Sequence, residues 1–294
     1  MLILWEIKKK ICRKMSQFKH GKFSAEDFLN SISFFAISDS DDKYETIIEN
    51  DINGLDVQHK KIMKKFSIDN LDFIDAGTYG EVYTGRAIKN GRVTDEKIAV
   101  KMLKAHSLQR SVLKNWKRMC QREMYYIHQF KDHKNIVNIF DYLWLYNPEE
   151  NWHPAYIAIK FEYLEINLDK CMSDGFQFNF EIIGNIARQI GSAIEFIHEK
   201  QLAHHDIKPH NIMISKLDVH DKKQINNQTV FKLIDFGLAR QVEEKVGTRW
   251  LDNQPAGGTL LYLCKEMFPN YGGFGFYNPY LVDSFAFGAT LLHI

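Results

Sequence analysis

Two short runs carry residue types that could do chemistry together. The first is His204-His205-Asp206-Ile207-Lys208-Pro209-His210-Asn211 and the second is Asp235-Phe236-Gly237. A hard cation such as magnesium prefers oxygen donors and keeps waters, so the amide of Asn211 and the carboxylate of Asp235, completed by phosphate oxygens, would suffice to hold it. A second carboxylate, Asp206, and an ammonium, Lys208, stand in the same run. Moving a phosphoryl group asks little covalent chemistry of a protein, and these are the types that supply position and charge neutralisation. Asp-Phe-Gly alone could be a chance turn, because such residues favour turns for local hydrogen-bonding reasons. Both runs lie beside apolar, strand-like residues (Ile212 to Ile214, Phe231 to Ile234), which makes chance a poor account of the pair.

The elements that must position these runs can be read from periodicity. From Ile68 the pattern is of short strands: Leu71 and Phe73, then Gly77 to Tyr83, then Lys97 to Lys101. A helical stretch is expected from about Ser107 to Phe130, further strands over Ile136 to Trp144 and Ile157 to Tyr163, and a strongly periodic helix over Phe180 to His198. A strand-rich first half and helix-rich second half imply two lobes with a cleft between them. The polar stretch Lys216 to Thr229 reads as an exposed hairpin loop.

Residues 1 to 68 read as an N-terminal extension, partly helical. Ile3, Ile7, Ile11 and Met15 recur every fourth position among Lys8, Lys9, Lys10, Arg13 and Lys14, which is the pattern of a basic amphipathic helix. We read its stripe as packing on the rest of the protein, with a partner or a membrane surface as the alternatives. Asp39 to Asp42 reads as a loop. Composition bounds the rest: a net charge of +1 points to no global nucleic-acid partner. The longest apolar run, Tyr280 to Ile294, is too short for a bilayer and contains Asp283, so it is expected to be a buried helix. The four cysteines are widely spaced and suggest neither zinc nor a redox motif, which suits a reducing, cytoplasmic or nuclear compartment.

In order and spacing, residues 70 to 290 resemble the eukaryotic protein kinase family, serine/threonine type. The resemblance implies an α+β fold: a two-lobed, kinase-like arrangement with a first lobe over 69–163 and a helical second lobe over 164–294. It implies ATP and Mg2+ as cofactors and a protein substrate with a Ser/Thr acceptor. Asp206 would take the proton of the attacking hydroxyl or orient it, Lys208 would lie beside the migrating group, and Asn211 and Asp235 would hold metal. Gly77, Gly80 and Val82 resemble the last two glycines and the valine of the loop that covers phosphates. Lys101, in Ile98-Ala99-Val100-Lys101, resembles the phosphate-holding lysine, with Glu123 as its candidate partner, although the neighbourhood of Glu123 also suits an exposed helical face. The base would lie against Val82, Ala99 and Met213 with Phe161 behind it, and the backbone of Glu162-Tyr163-Leu164 would read its edge. Gly258-Thr259 and Cys264-Lys265-Glu266 resemble the end of the activation segment, and Asp283 the aspartate that ties down the catalytic loop.

The departures are specific. Asp75 occupies the place of the first glycine, and its carboxylate would repel a triphosphate. His205 stands where many kinases have an arginine able to pair an activation-segment phosphate, which implies activity independent of phosphorylation there, Thr248 included. The 294 residues stop after the helix that carries Asp283, so the fold is expected to lack the family's last helices. Two rivals follow: a scaffold that keeps the fold without transfer, and a small-molecule phosphotransferase. The intact set Lys101, Asp206, Asn211 and Asp235 argues against the first, and the glycine loop and Asp-Phe-Gly against the second.

Overall fold

The computed structural model describes residues 45–46, 54–77, 80–104, 110–130, 133–147, 153–215, 225–226, 228–242, 258–267 and 278–294. The expected basic helix at Ile3 to Met15, the acidic stretch Asp39 to Asp42, most of Lys216 to Thr229, Thr78, Tyr79 and Thr248 lie outside the described residues.

Strand formation begins with a meander. Strands β2 (Asp72–Gly77), β3 (Gly80–Lys89) and β4 (Arg92–Lys104) pair antiparallel in succession. The turn from β3 to β4 is Asn90-Gly91, with φ of 52° and 73°. Asparagine and glycine tolerate that left-handed backbone, and its twist matches the flanking strands. Strands β5 (Ile139–Asn147) and β6 (His153–Glu162) add to β4, and with β1 (Glu45–Thr46) beside β5 they complete a six-stranded sheet in the order β1-β5-β6-β4-β3-β2. Strand β4 is longer than the Lys97 to Lys101 run expected from apolar residues, because its first half is polar and exposed and is held by pairing with β3.

Alternation along β4 divides the sheet into two faces. Ile98, Val100 and Met102 are buried on one side, where Ile62 and Phe66 of helix α1 (Gly54–Phe66) pack on them together with Leu143, Leu145 and Ala158. The Lys160 ammonium of β6 donates to the carbonyl of Phe66 at 2.7 Å, so a cation meets the negative end of that helix. Residues 54–66, read from sequence as part of the extension, thus share the core of the sheet. Ala99 and Lys101 point to the opposite face and are only half-buried. Helix α2 (Arg110–Gln129) lies near β5 and β6, its Trp116 edge-on to Trp144 at 5.8 Å.

The second half is helical, around two small sheets. Strands β7 (Ile166–Asn167), β9 (Ile212–Ile214) and β10 (Phe231–Leu233) form one, and β8 (Leu202–Ala203) with β11 (Arg240–Gln241) the other. Helix α3 (Leu168–Ser173) follows β7 directly. In helix α4 (Phe180–Glu199) the Asn179 side chain accepts from Ile182 N–H at 2.9 Å, capping the first turn, and the stripe Ile182, Ile186, Ile190, Ile194 and Ile197 is buried. Helix α5 (Pro279–His293) corrects one expectation. It buries Val282, Asp283, Phe287 and Leu291, yet Leu281, Phe285 and Leu292 are 52%, 50% and 77% exposed, so it is buried on one face and not all round. No described helix is long and apolar enough to cross a membrane. Cys120, Cys171 and Cys264 are buried. The expected α+β fold, with a strand-rich first lobe and a helical second, is the one the chain adopts.

Candidate functional site

The loop between β8 and β9 is held by a residue far away in sequence. Asp283 of α5, fully buried, accepts the backbone N–H of His204 at 2.7 Å through Oδ2 and that of His205 at 2.8 Å through Oδ1. His198 Nε2 of α4 reaches the same Oδ2 at 2.9 Å. Burial works against the charged form of this carboxyl, but His198, His205 and His204 outweigh it and hold Asp283 below the usual carboxylate range. His205 adopts a left-handed backbone with φ 67°, and its buried imidazole is pushed down to about 4 by desolvation, with Arg240, His204 and His198 adding to the effect and Asp283 opposing it. A neutral, buried imidazole is no partner for a phosphate.

The ring of His204 has a definite tautomer. Nδ1 accepts the Asp206 N–H at 3.3 Å, so Nε2 carries the proton and donates to the Ile234 carbonyl at 3.0 Å. From the other side, Ile234 N–H donates to the Asn211 carbonyl at 3.0 Å. The residue before Asp235 is therefore pinned on both flanks to the loop that carries Asp206 and Asn211.

Within that loop, the Asn211 amide nitrogen donates to the Asp206 carbonyl at 2.8 Å and to Asp206 Oδ2 at 2.9 Å. Two oxygen acceptors on one side assign that atom as nitrogen and leave the amide oxygen for another partner. Lys208 Nζ lies 2.7 Å from Asp206 Oδ2 and donates to Thr259 Oγ1 at 2.7 Å, while the Thr259 hydroxyl donates to Asp206 Oδ1 at 3.0 Å. Asp206, Lys208 and Thr259 form a closed triangle, although Thr259 is 53 positions from Asp206.

Asp235 meets the half-buried side of β4. Lys101 Nζ is 3.1 Å from Glu123 Oε1 and 3.8 Å from Asp235 Oδ1. Burial alone would pull the lysine down, but Asp235 and Glu123 more than reverse it and hold it above its ordinary value; the same ammonium, against burial, keeps Asp235 below the carboxylate range. Glu123 is 3% exposed, which settles the two sequence readings in favour of the ion pair over the exposed face. Asp235 has φ 61°, and Phe236 behind it is fully buried, 5.7 Å from Phe130 at the end of α2. A Cβ on Gly237 would stand 3.2 Å from Asp235 Oδ1, so glycine leaves that carboxylate room.

Val82, Ala99 and Met213 are half-buried, the last two between buried neighbours, and Phe161 and Leu164 are buried. Gly77 and Gly80 pair across the β2–β3 turn. A Cβ on Gly80, whose φ is 153°, would stand 2.1 Å from the Met102 carbonyl, so close packing on β4 already demands glycine at that position. Asp75 is exposed in β2 and accepts the N–H of Ala76 at 2.8 Å. The Glu162 side chain is engaged by two partners: Oε1 accepts the Asn138 N–H at 2.6 Å and pairs with Lys232 Nζ at 2.8 Å. Sequence reasoning gave no role to His198, His204 or Lys232, each of which binds a partner distant in the chain: Asp283, Ile234 and Glu162.

The donor set suits a metal-bound nucleotide. The free amide oxygen of Asn211 and the carboxylate of Asp235 are hard ligands held by one frame, and Lys101 adds a cation beside them. Among the described residues no group of three His, Cys, Asp or Glu could hold a metal by itself, so a cation bound here draws its other ligands from phosphate and water.

Residues 68–294 match the family described as the protein kinase domain. The chain is 30% identical over 227 residues to the sporulation protein kinase mde3 of Schizosaccharomyces pombe, covering 74% of this chain and 35% of that protein. It is 32% identical over 219 residues to a probable serine/threonine-protein kinase of Dictyostelium discoideum, covering 66% and 37%, and 27% identical over 195 residues to the serine/threonine-protein kinase ULK3 of Xenopus laevis, covering 66% and 35%. The chain thus spans about a third of the length of these curated relatives.

Proposed function

Since the chain belongs to the protein kinase family, we propose that it transfers the γ-phosphoryl group of magnesium ATP to a serine or threonine hydroxyl of a protein substrate. The observation that carries this reading is the triangle of Asp206, Lys208 and Thr259 beside Asn211. It offers an acceptor for a hydroxyl proton, a cation for the migrating charge and an oxygen ligand within one loop.

Each residue then has work that its surroundings explain. Asp206 orients the incoming hydroxyl and accepts its proton, its own carboxylate aimed by Asn211, Thr259 and Lys208. Lys208 offsets negative charge next to that proton acceptor. Asn211 and Asp235 are the residues that would hold magnesium, and Lys101, braced by Glu123, would hold the phosphates. When bound, the metal and nucleotide supply an electrophilic phosphoryl group with part of its charge neutralised. Val82, Ala99 and Met213 exclude water around the base, and the backbone of Glu162 to Leu164 reads its edge. The names of two relatives, which are serine/threonine-protein kinases, support the acceptor type.

The test is transfer of labelled phosphate from ATP with magnesium to a generic protein substrate, wild type beside Asp206→Asn. Label in protein that vanishes in the variant supports the proposal. Nucleotide binding without transfer would support a scaffold instead.

A further inference from the structure

Strand β10 is buried at every position, and its middle residue is a lysine. Lys232 is 7% exposed, between the fully buried Phe231 and Leu233. A buried ammonium is costly unless it is paired and hydrogen-bonded, so its partners show what holds it there. They are Glu162 Oε1 at 2.8 Å and the Ile136 carbonyl at 3.3 Å.

Glu162 is the last residue of β6 and the first of the segment, Glu162 to Leu164, to which the proposed function assigns the base edge. Its carboxylate also accepts Asn138 N–H at 2.6 Å, and its own N–H donates to the Asn138 carbonyl at 3.1 Å. The chain between Asn135 and Asn138 is in turn stitched to β10: Leu233 N–H donates to the Asn135 carbonyl at 2.9 Å, and Val137 N–H to the Leu233 carbonyl at 3.1 Å. One ion pair therefore joins the end of the six-stranded sheet to the strand that delivers Asp235. Lys232 is also directly opposite Met213 in the β9–β10 register, and opposed residues of an antiparallel pair project to the same face.

We propose that Lys232 is a positioning residue for nucleotide: through its ion pair with Glu162 it sets the height of the Glu162 to Leu164 backbone over Met213, and so the width of the slot that takes the base. The pair also turns the Glu162 charge toward a cation and away from the triphosphate. This rests on the function proposed above, and it adds a residue that touches neither nucleotide nor substrate. The base is gripped by backbone whose place a buried charge pair determines.

The full chain is used for the test, with magnesium ATP affinity measured by calorimetric titration and steady-state constants by phosphate transfer. Lys232→Met is expected to weaken ATP binding about fivefold and raise KM for ATP in step, while KM for the protein substrate and kcat at saturating ATP stay within about twofold. Lys232→Gln, which keeps a donor without charge, recovers part of the affinity. Ile186→Ala, a core change in α4, serves as the control: it lowers Tm and leaves ATP affinity as in wild type. Unchanged ATP affinity in a folded Lys232→Met or Lys232→Gln protein overturns the inference and leaves the proposed function standing. So does an equal loss of affinity in Ile186→Ala, which would mark the effect as general loosening. A wild-type chain that binds no nucleotide overturns both readings.

Discussion

Asp283 holds the backbone of His205 from 78 positions away: its Oδ1 accepts the His205 N–H at 2.8 Å, and its Oδ2 takes the neighbouring N–H of His204. Both amides lie in a loop with no strand partner, and buried backbone donors must be satisfied. The carboxylate does for the loop what a sheet neighbour would do for a strand, so the loop keeps one shape while Asp206 is presented at its edge.

Replacing Asp283 by alanine strands these donors together with the His198 ring. We expect Asp283→Ala to cost about 3 kcal/mol of stability, and Asp283→Asn, which keeps one acceptor, clearly less. Urea unfolding of the three proteins checks the order. Phosphate transfer under folding conditions should fall in both variants.

The buried His205 makes stability depend on pH in a defined window. Its folded value is about 4 against the ordinary 6.5, so above pH 6.5 the ring is neutral whether the chain is folded or not. Between 6.5 and 4 only the unfolded chain takes up the proton, and stability falls as pH falls, by on the order of 3 kcal/mol across the window. His205→Asn, which tolerates the left-handed backbone, should flatten the slope of unfolding free energy between those values. An unchanged slope in the variant would show that another group titrates there.

Lys101 neutralises two carboxylates, one of them nearly inaccessible to solvent. Lys101→Met leaves Glu123 buried without its cation and Asp235 without the charge that keeps it ionised. Phosphate transfer is expected to drop at least about a hundredfold, with a lower Tm, in an assay at saturating ATP. Loss of Tm with full activity would contradict the role given to this lysine.

Thr259 links Lys208 to Asp206 by its hydroxyl alone. Thr259→Ser keeps the hydroxyl and should retain most of kcat, whereas the isosteric Thr259→Val should lose about tenfold or more because the carboxylate is no longer aimed. Comparable rates in the two variants would remove Thr259 from the constellation.

How far the sequence could be read depended on how local the physics was. Helix α4 was legible because its isoleucines recur at helical spacing, and β9 and β10 because they are short apolar runs. The first half of β4 was not, since Arg92 to Lys97 look like loop and become strand only through pairing with β3. Helix α5 read as buried, for most of its residues are apolar, but which face is covered depends on neighbours and not on composition. Glu123 allowed two readings until packing placed it against Lys101. Helix α1 carried no mark that it would share the core of the sheet.

By itself the sequence determined the kinds of chemistry possible: an acceptor, a cation and two hard oxygen ligands, in runs whose local backbone puts them on loops beside strands. Residue type and short-range spacing decide those things, and both are written in the chain. The tertiary structure alone decided which hydrogen-bond and ion-pair partners orient each group: Asp283 for the loop, His204 for Ile234, Thr259 for Asp206, Lys232 for Glu162. Those bonds join residues tens of positions apart, and a hydrogen bond a few ångströms long exists only once the whole chain has packed around it.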